Sequence, residues 1–476
     1  MTTDARIPAA ARIHAFTDDA LGEHDALALA ELVRRGERSP GELAAAAARR
    51  AAAVAELAAV AYRSFAEPVF PVRADGVFAG VPTFVKDNSD ITGMPSNHGT
   101  AAFTARPARG TDAYVREFLS TGAVVIGKSA LPEFGFNAST EPEFAAPTRN
   151  PWNPAHSAGG SSGGAAALVA AGVVPFAHGN DGGGSIRIPA ASTGLVGLKP
   201  SRGRHADSRL ARLLPLNIVS EGVLTRTVRD TAAFTAAIER RHPSRALPPI
   251  GSVEGPPERP LRIAVLLESA AGPVADPAVR ESVRRVAELL SAHGHRVEEI
   301  SLPFVAAVET AFLHYWALLA AVVTDTGKLL ADRHFDRSRL DGLTRGLRGK
   351  FYREIWRTPG ALRTLARAYR TYEAEMGAYD AVLIPTLGHS TPPLGHLAPT
   401  VPFDELLDRL RVYVGFTPLN NITGTPSISV PAGLAPSGVP LGVQFAGVRG
   451  AERTLLQLAY LVEAELPFPK ITAPRI

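Results

Sequence analysis

The sequence has no cysteine. Disulfides, thiolate metal sites and a cysteine nucleophile are excluded at once. Net charge is also scarce: 50 Lys and Arg against 46 Asp and Glu leave +4 over 476 residues, too thin an excess to imply a nucleic-acid partner. Long hydrophobic runs are missing as well. The apolar stretch AAALVAAGVVPFA, Ala165 to Ala177, falls short of the roughly 18 residues that a membrane span needs. It predicts a buried helix and the strand after it, and no membrane partner. The stretch MTTDARIPAAARIHAFTDDA is broken by Arg12, His14, Asp18 and Asp19, unlike the uninterrupted apolar core of a signal peptide. A cytoplasmic protein is expected.

What is present reads as a folded α/β chain. Residues 25–62 predict two helices, the second opened by Ser39, Pro40 and Glu42, a cap, a first-turn proline and the far end of a capping box. GVPTFVK, ending at Lys86, and GAVVIGK, ending at Lys128, predict strands separated by the helix TDAYVREFLSTG, and such alternation argues for an α/β core. The Pro/Gly-rich residues 241–260 predict a long surface connection. After it LRIAVLL and HRVEEI predict strands either side of a helix that starts at Asp276-Pro277 and stops at Gly294. Residues 304–410 turn helical, with Phe312, Tyr315, Trp316, Phe351, Tyr352, Trp356, Tyr369 and Tyr372. Aromatics at helical spacing are mostly core, with one or two left to line a pocket. The basic run RSRLDGLTRGLRGK predicts a solvated face.

Two glycine clusters carry the chemistry: GGSSGG, Gly159 to Gly164, and HGNDGGGSIRIPAA, His178 to Ala191. A phosphate loop needs a lysine and a Ser/Thr after its last glycine, and a dinucleotide loop needs its own glycine spacing. Neither cluster fits. Glycines directly before Ser185 suit acyl transfer instead, because their N–H groups can face a developing oxyanion with no side chain in the way. A serine nucleophile needs a base. His98, His156 and His178 lie in the glycine-rich regions, each with a plainer reading as a histidine bonded to nearby backbone. Lys86, at the end of an apolar strand, is the other candidate, since burial lowers a lysine's pKa.

These segments, with GKSALPEF, STEPEF, AVLIPTLG and NNITGTPSISVPAG, resemble the amidase signature enzymes over nearly the whole chain. The resemblance implies a single large α/β/α sandwich over residues 1–476 with a central mixed, mostly parallel twisted sheet, its signature core at 75–235 and a substrate-shaping helical region at about 304–410. It implies a Ser-cisSer-Lys triad: Ser185 as nucleophile, Ser161 as the bridging serine beside a cis peptide bond and Lys86 as base, with Gly182, Gly183 and Gly184 as the oxyanion hole. Asp181 and Arg187, which flank the nucleophile, match positions that hold the loop. Asn180 stands where many members have threonine and His156 where many have arginine, and neither is expected to touch the triad. The implied reaction is hydrolysis of a small-molecule amide through an acyl-enzyme, with no metal or other cofactor and with a homodimer allowed. The rivals are an esterase or carbamate hydrolase on the same triad, a glutamine amidotransferase A-type subunit and a non-catalytic binding protein. HGNDGGGS and TRNPWN resemble a bacterial branch that includes 6-aminohexanoate cyclic-dimer hydrolase-like enzymes, an analogy that carries no substrate.

Overall fold

The structure, a computed structural model, describes residues 12–472 apart from 72–74, 209–210, 270–271, 275 and 302–303. The first eleven residues of the stretch read against a signal peptide lie outside them. Asp25 caps the helix Ala26–Arg34, and Ser39 with Glu42 forms the expected capping box on Pro40–Ala53. Helix was expected through residue 62, but it ends at Ala53, and Val60–Arg63 is a strand paired antiparallel with Val124–Ser129. Alanine propensity carries the helix only up to the point where a distant strand competes for the backbone.

The main sheet has eight strands in the order Arg296–Glu299, Arg262–Val265, Ala381–Pro385, Pro440–Ala446, Ser427–Leu434, Val196–Lys199, Ser220–Thr225 and Phe176–Asp181. The α/β class and the mixed sheet are as expected. The balance of strand directions is not, because the first two pairings are parallel and the other five antiparallel. Three of the five come from the late hairpin Ser427–Leu434 and Pro440–Ala446, which inserts into the middle of the sheet, and the other two from Ser220–Thr225 running opposite to both its neighbours. Successive residues of these strands point to opposite faces. Ile263, Val265, Leu383 and Phe445 pack with Val283, Val286 and Leu290 of the helix Pro277–Ala292 and Leu455 and Leu458 of Glu452–Glu465. Ala264, Val382 and Ile384 pack on the other side with Tyr372 and Met376 of Thr358–Met376.

A smaller sheet, in the order Val60–Arg63, Val124–Ser129 and Pro82–Lys86, lies against the end of the large one. At the junction side chains replace ladder bonds: Thr83 Oγ1 donates to the Phe176 carbonyl (3.0 Å), and the Lys86 N–H donates to His178 Nδ1 (3.2 Å).

The region 304–410 is helical as expected, in Val305–Leu330, Gly342–Arg353, Thr358–Met376 and the start of Phe403–Val414, but it also supplies the central strand Ala381–Pro385. Val305–Leu330 corrects the expectation that no segment is long and apolar enough to span a membrane, since it passes that test of length and composition. Its buried side, including Ala317, Ala320 and Ala321, packs with Leu343, Leu347 and Phe351 of Gly342–Arg353.

Candidate active site

The strand Pro82–Lys86 is buried at every residue and places Lys86 behind Ser161 and Asn180, which line a cavity of about 610 Å³. Lys86 Nζ lies 2.8 Å from Ser161 Oγ and 2.7 Å from Asn180 Oδ1. Burial is the largest influence on this amine and pushes its pKa down to about 7, while the Glu221 and Asp181 carboxylates pull the other way. Desolvation disfavours a charged ammonium, and the outcome is a lysine able to accept a proton near neutral pH.

Ser161 comes just before the helix Gly163–Ala170, and the Gly160–Ser161 peptide bond is cis. The chain runs so close to residues 137–139 that a Cβ on Gly160 would sit 2.7 Å from the Asn137 carbonyl oxygen. Only glycine fits there, and the contact holds the serine that follows it in place.

The loop that carries Ser185 is tied from within. The Asp181 carboxylate accepts the N–H groups of Gly184 (2.7 Å) and Ile186 (3.1 Å) and receives both Nη2 (2.9 Å) and Nε (3.0 Å) of Arg187. Burial pushes the Asp181 carboxyl up, but the Arg187 guanidinium, with help from Lys199 and Asn421, outweighs it and holds the group well below the usual carboxylate range. Arg187 also reaches Asn421 Oδ1 (2.6 Å) and Gln444 Oε1 (3.2 Å), which anchors the loop to the late strands and the helix Pro418–Thr423. Gly184 has φ +131°, and a Cβ there would lie 2.3 Å from Thr417 Oγ1; that hydroxyl in turn donates to the Gly183 carbonyl (2.6 Å). Because its N–H is given to Asp181, Gly184 shapes the loop, which departs from its expected part as an oxyanion donor. Gly182, Gly183, Ser161 and Ser185 all line the one cavity.

The histidine candidates separate cleanly. His178 is fully buried; its Nδ1 accepts the Lys86 N–H, so its ring proton sits on Nε2, 3.0 Å from Glu221 Oε2. His156 is on the strand Asn153–Ser157, bridged to Pro393. His98 lines the cavity with φ 54°, and burial, then the nearby Lys128, push its pKa down to about 4, so it is neutral. Asn180 is the residue the sequence reading misplaced: expected to stay clear of the triad, it bonds Lys86 Nζ directly. Its Nδ2 donates to Asn88 Oδ1 (3.0 Å), which fixes the amide with its oxygen toward the lysine. Among the described residues no group of three or more His, Asp or Glu is placed to hold a metal ion.

A near-neutral buried lysine bonded to one of two serines on a single cavity wall is the equipment of an acyl-transfer hydrolase. The chain belongs to the amidase family, whose model matches residues 29–456. It is 46% identical to the protein named "Putative amidase AmiC" of Mycobacterium tuberculosis, over 98% of this chain and 99% of that one. It is 34% identical to the 6-aminohexanoate-cyclic-dimer hydrolase of Paenarthrobacter ureafaciens, over 93% of this chain and 95% of that one. A solved structure of 6-aminohexanoate cyclic dimer hydrolase superposes with a TM-score of 0.83 at 30% identity, covering 95% of this chain and 98% of that one. The chain is therefore an amide-hydrolysing enzyme of this family, and the binding-protein reading is set aside.

Proposed function

We propose that this enzyme hydrolyses a carboxylic amide to a carboxylate and an amine or ammonia, with Ser185 as nucleophile, Ser161 as the proton bridge and Lys86 as base. The observation that carries the reading is the 2.8 Å contact between Ser161 Oγ and the near-neutral Lys86 Nζ. As Ser185 Oγ attacks the carbonyl carbon, its proton passes to Ser161 Oγ, and the Ser161 proton passes to Lys86. The N–H groups of Gly182 and Gly183 stabilise the oxyanion. The proton then returns through Ser161 to the leaving nitrogen, the C–N bond breaks and an ester to Ser185 remains. Water attacks that ester, gives its proton to the same relay, and the carboxylate leaves as Ser185 Oγ regains a proton. Asp181 and Arg187 hold the loop and take no proton.

The test is Ser185→Ala, with turnover of an amide panel and intact-protein mass after exposure to a serine-directed sulfonyl fluoride. Loss of both turnover and the covalent adduct is expected. Normal turnover by the variant would end this reading.

A further inference from the structure

The helix Val305–Leu330 is apolar enough for a protein core, yet only 44% of its most apolar stretch is buried. Its other side lines the cavity that holds both serines: Val308, Phe312, Trp316, Leu319, Val323 and Leu330 all face that space. They recur every three or four residues, or every seventh where a turn is skipped, which makes one stripe along a helix. At 1.5 Å per residue the stripe runs about 33 Å. Its inner end touches the reaction centre. A Cβ added to Gly183 would lie 3.1 Å from Phe312 Cζ, and the Phe312 and Trp316 rings stack with centroids 6.5 Å apart and planes 16° apart.

Charge along this arm is neutralised in place. Glu309 on the helix pairs with Arg411 (3.1 Å), and at the mouth Arg106 lies 4.0 Å from Asp332. The stripe thus offers no spare charge to a charged acyl end, and an ionised group carried into it would lose its water with nothing in return. The flank of the reaction centre beside Ser161 is formed by residues 134–136: a Cβ on Gly135 would lie 3.1 Å from Ser161 Oγ, and Phe134 and Phe136 line the same cavity as the stripe. Ser161 returns the proton to the leaving nitrogen in the relay above, so the amine side faces this flank and the acyl side faces Phe312.

We propose that the substrates are amides of neutral, extended apolar carboxylic acids, whose acyl chain lies along the stripe from Phe312 outward, with Phe312 setting the fit beside the carbonyl. The proposal rests on Ser185 being the nucleophile. An acyl chain as the occupant follows from the stripe's continuity with the two serines in one cavity of about 610 Å³, a volume in the range of small-molecule sites.

The experiment uses the full chain and p-nitroanilides that share one leaving group: acetyl, butyryl, hexanoyl and octanoyl, with the succinyl anilide as the charged match to butyryl. The expected result is a rise in kcat/KM of about fourfold for each added methylene, and a succinyl value at least ~100-fold below butyryl. In parallel, the rate at which methane-, butane- and octanesulfonyl fluoride modify Ser185, read by intact mass, rises with chain length; this arm needs no turnover. Leu319→Asp and Val323→Asp, both at half-buried positions, lower the octanoyl-to-acetyl ratio at least tenfold. A flat or falling series, a succinyl value equal to butyryl, or an unchanged ratio in both variants overturns the proposal. Ser185→Ala separates the two failures: if it is dead, amide hydrolysis at Ser185 stands and only the acyl assignment is lost, whereas if it is active, the nucleophile itself is wrong.

Discussion

Lys86 and Lys128 lie at the ends of neighbouring parallel strands, both fully buried, and their surroundings give them different chemistry. Lys128 Nζ donates to the Ser89 carbonyl (2.8 Å) and Ser96 Oγ (2.7 Å) and lies 3.8 Å from Asp87 Oδ1. Lys86 Nζ also meets a hydroxyl and an amide oxygen, but among the described residues it has no carboxylate in ion-pair contact. Burial lowers the pKa of both amines, but Asp87, Asp90 and Asp112 pull Lys128 back up, whereas Lys86 is left at about 7. Burial alone does not make a base. A near-neutral amine also requires that carboxylates be kept out of contact.

One substitution made twice breaks or sharpens that contrast. Lys86→Met is expected to lower kcat/KM by roughly 10⁴-fold and yet to stabilise the fold by about 1 kcal/mol, because a buried amine held below its ordinary pKa weighs against folding. The sign follows from the depressed folded value: the penalty is complete below about pH 7 and fades as pH climbs toward the unfolded lysine's 10.5. Urea midpoints at pH 6 and pH 10 should therefore show a larger gain at pH 6. Lys128→Met should do the reverse and lose about 3 kcal/mol, since it strips the cation from Asp87, a carboxyl that burial already pushes up to about 6. The variant that still folds should keep the wild-type shape of its pH–rate profile. Stability changes of the same sign in both variants would erase the distinction.

How much of this was legible beforehand depends on how local the signal was. The glycines before Ser185 and the apolar strand end at Lys86 marked those two residues as candidates, and the capping box at Ser39 marked a helix start, because each is written in a few adjacent residues, whereas Ser161 came only with the family resemblance. Strand direction was not: three of the five antiparallel pairings arise from residues 427–446 pairing with each other, with residues 196–199 and with residues 381–385, and the other two from residues 220–225 pairing with 196–199 and 176–181, choices that no local pattern records. Asn180 was misplaced although a signal existed. His178 and Asn180 are two apart on one strand, so both side chains face the same way, and any role of His178 beside Lys86 should have drawn attention to Asn180. The stripe on Val305–Leu330 was half seen. Helical spacing predicted core packing, and Tyr315, Phe351 and Tyr372 obey it, but the open space under Phe312 and Trp316 depends on distant segments such as residues 182–183 and 410–422.

Asn180→Asp tests the contrast from the other side by giving Lys86 the carboxylate that Lys128 already has. A carboxylate oxygen at the 2.7 Å position of Asn180 Oδ1 favours the ammonium and should raise the lysine pKa by one unit or more. In the proposed mechanism Lys86 acts as base only when neutral, so wild-type kcat/KM should climb with pH through about 7 and level off. In the variant the same limb should move above pH 8, with a loss of roughly tenfold at pH 7 that is recovered at pH 9.5. An unmoved limb would mean that Lys86 is not the group being titrated.

Asn88→Ala carries the smallest expected effect and isolates geometry from charge. Asn88 Oδ1 accepts Asn180 Nδ2 at 3.0 Å, so the Asn180 amide cannot turn its nitrogen toward Lys86 without losing that bond. With its oxygen facing the amine, Asn180 accepts a Lys86 N–H at 2.7 Å and holds Nζ 2.8 Å from Ser161 Oγ. Removing Asn88 frees the amide to rotate but changes no charge. The expected result is a loss in kcat of about three- to tenfold, the scale of one neutral hydrogen bond, with the ascending pH limb still near 7. A shifted limb would instead assign Asn88 an electrostatic part.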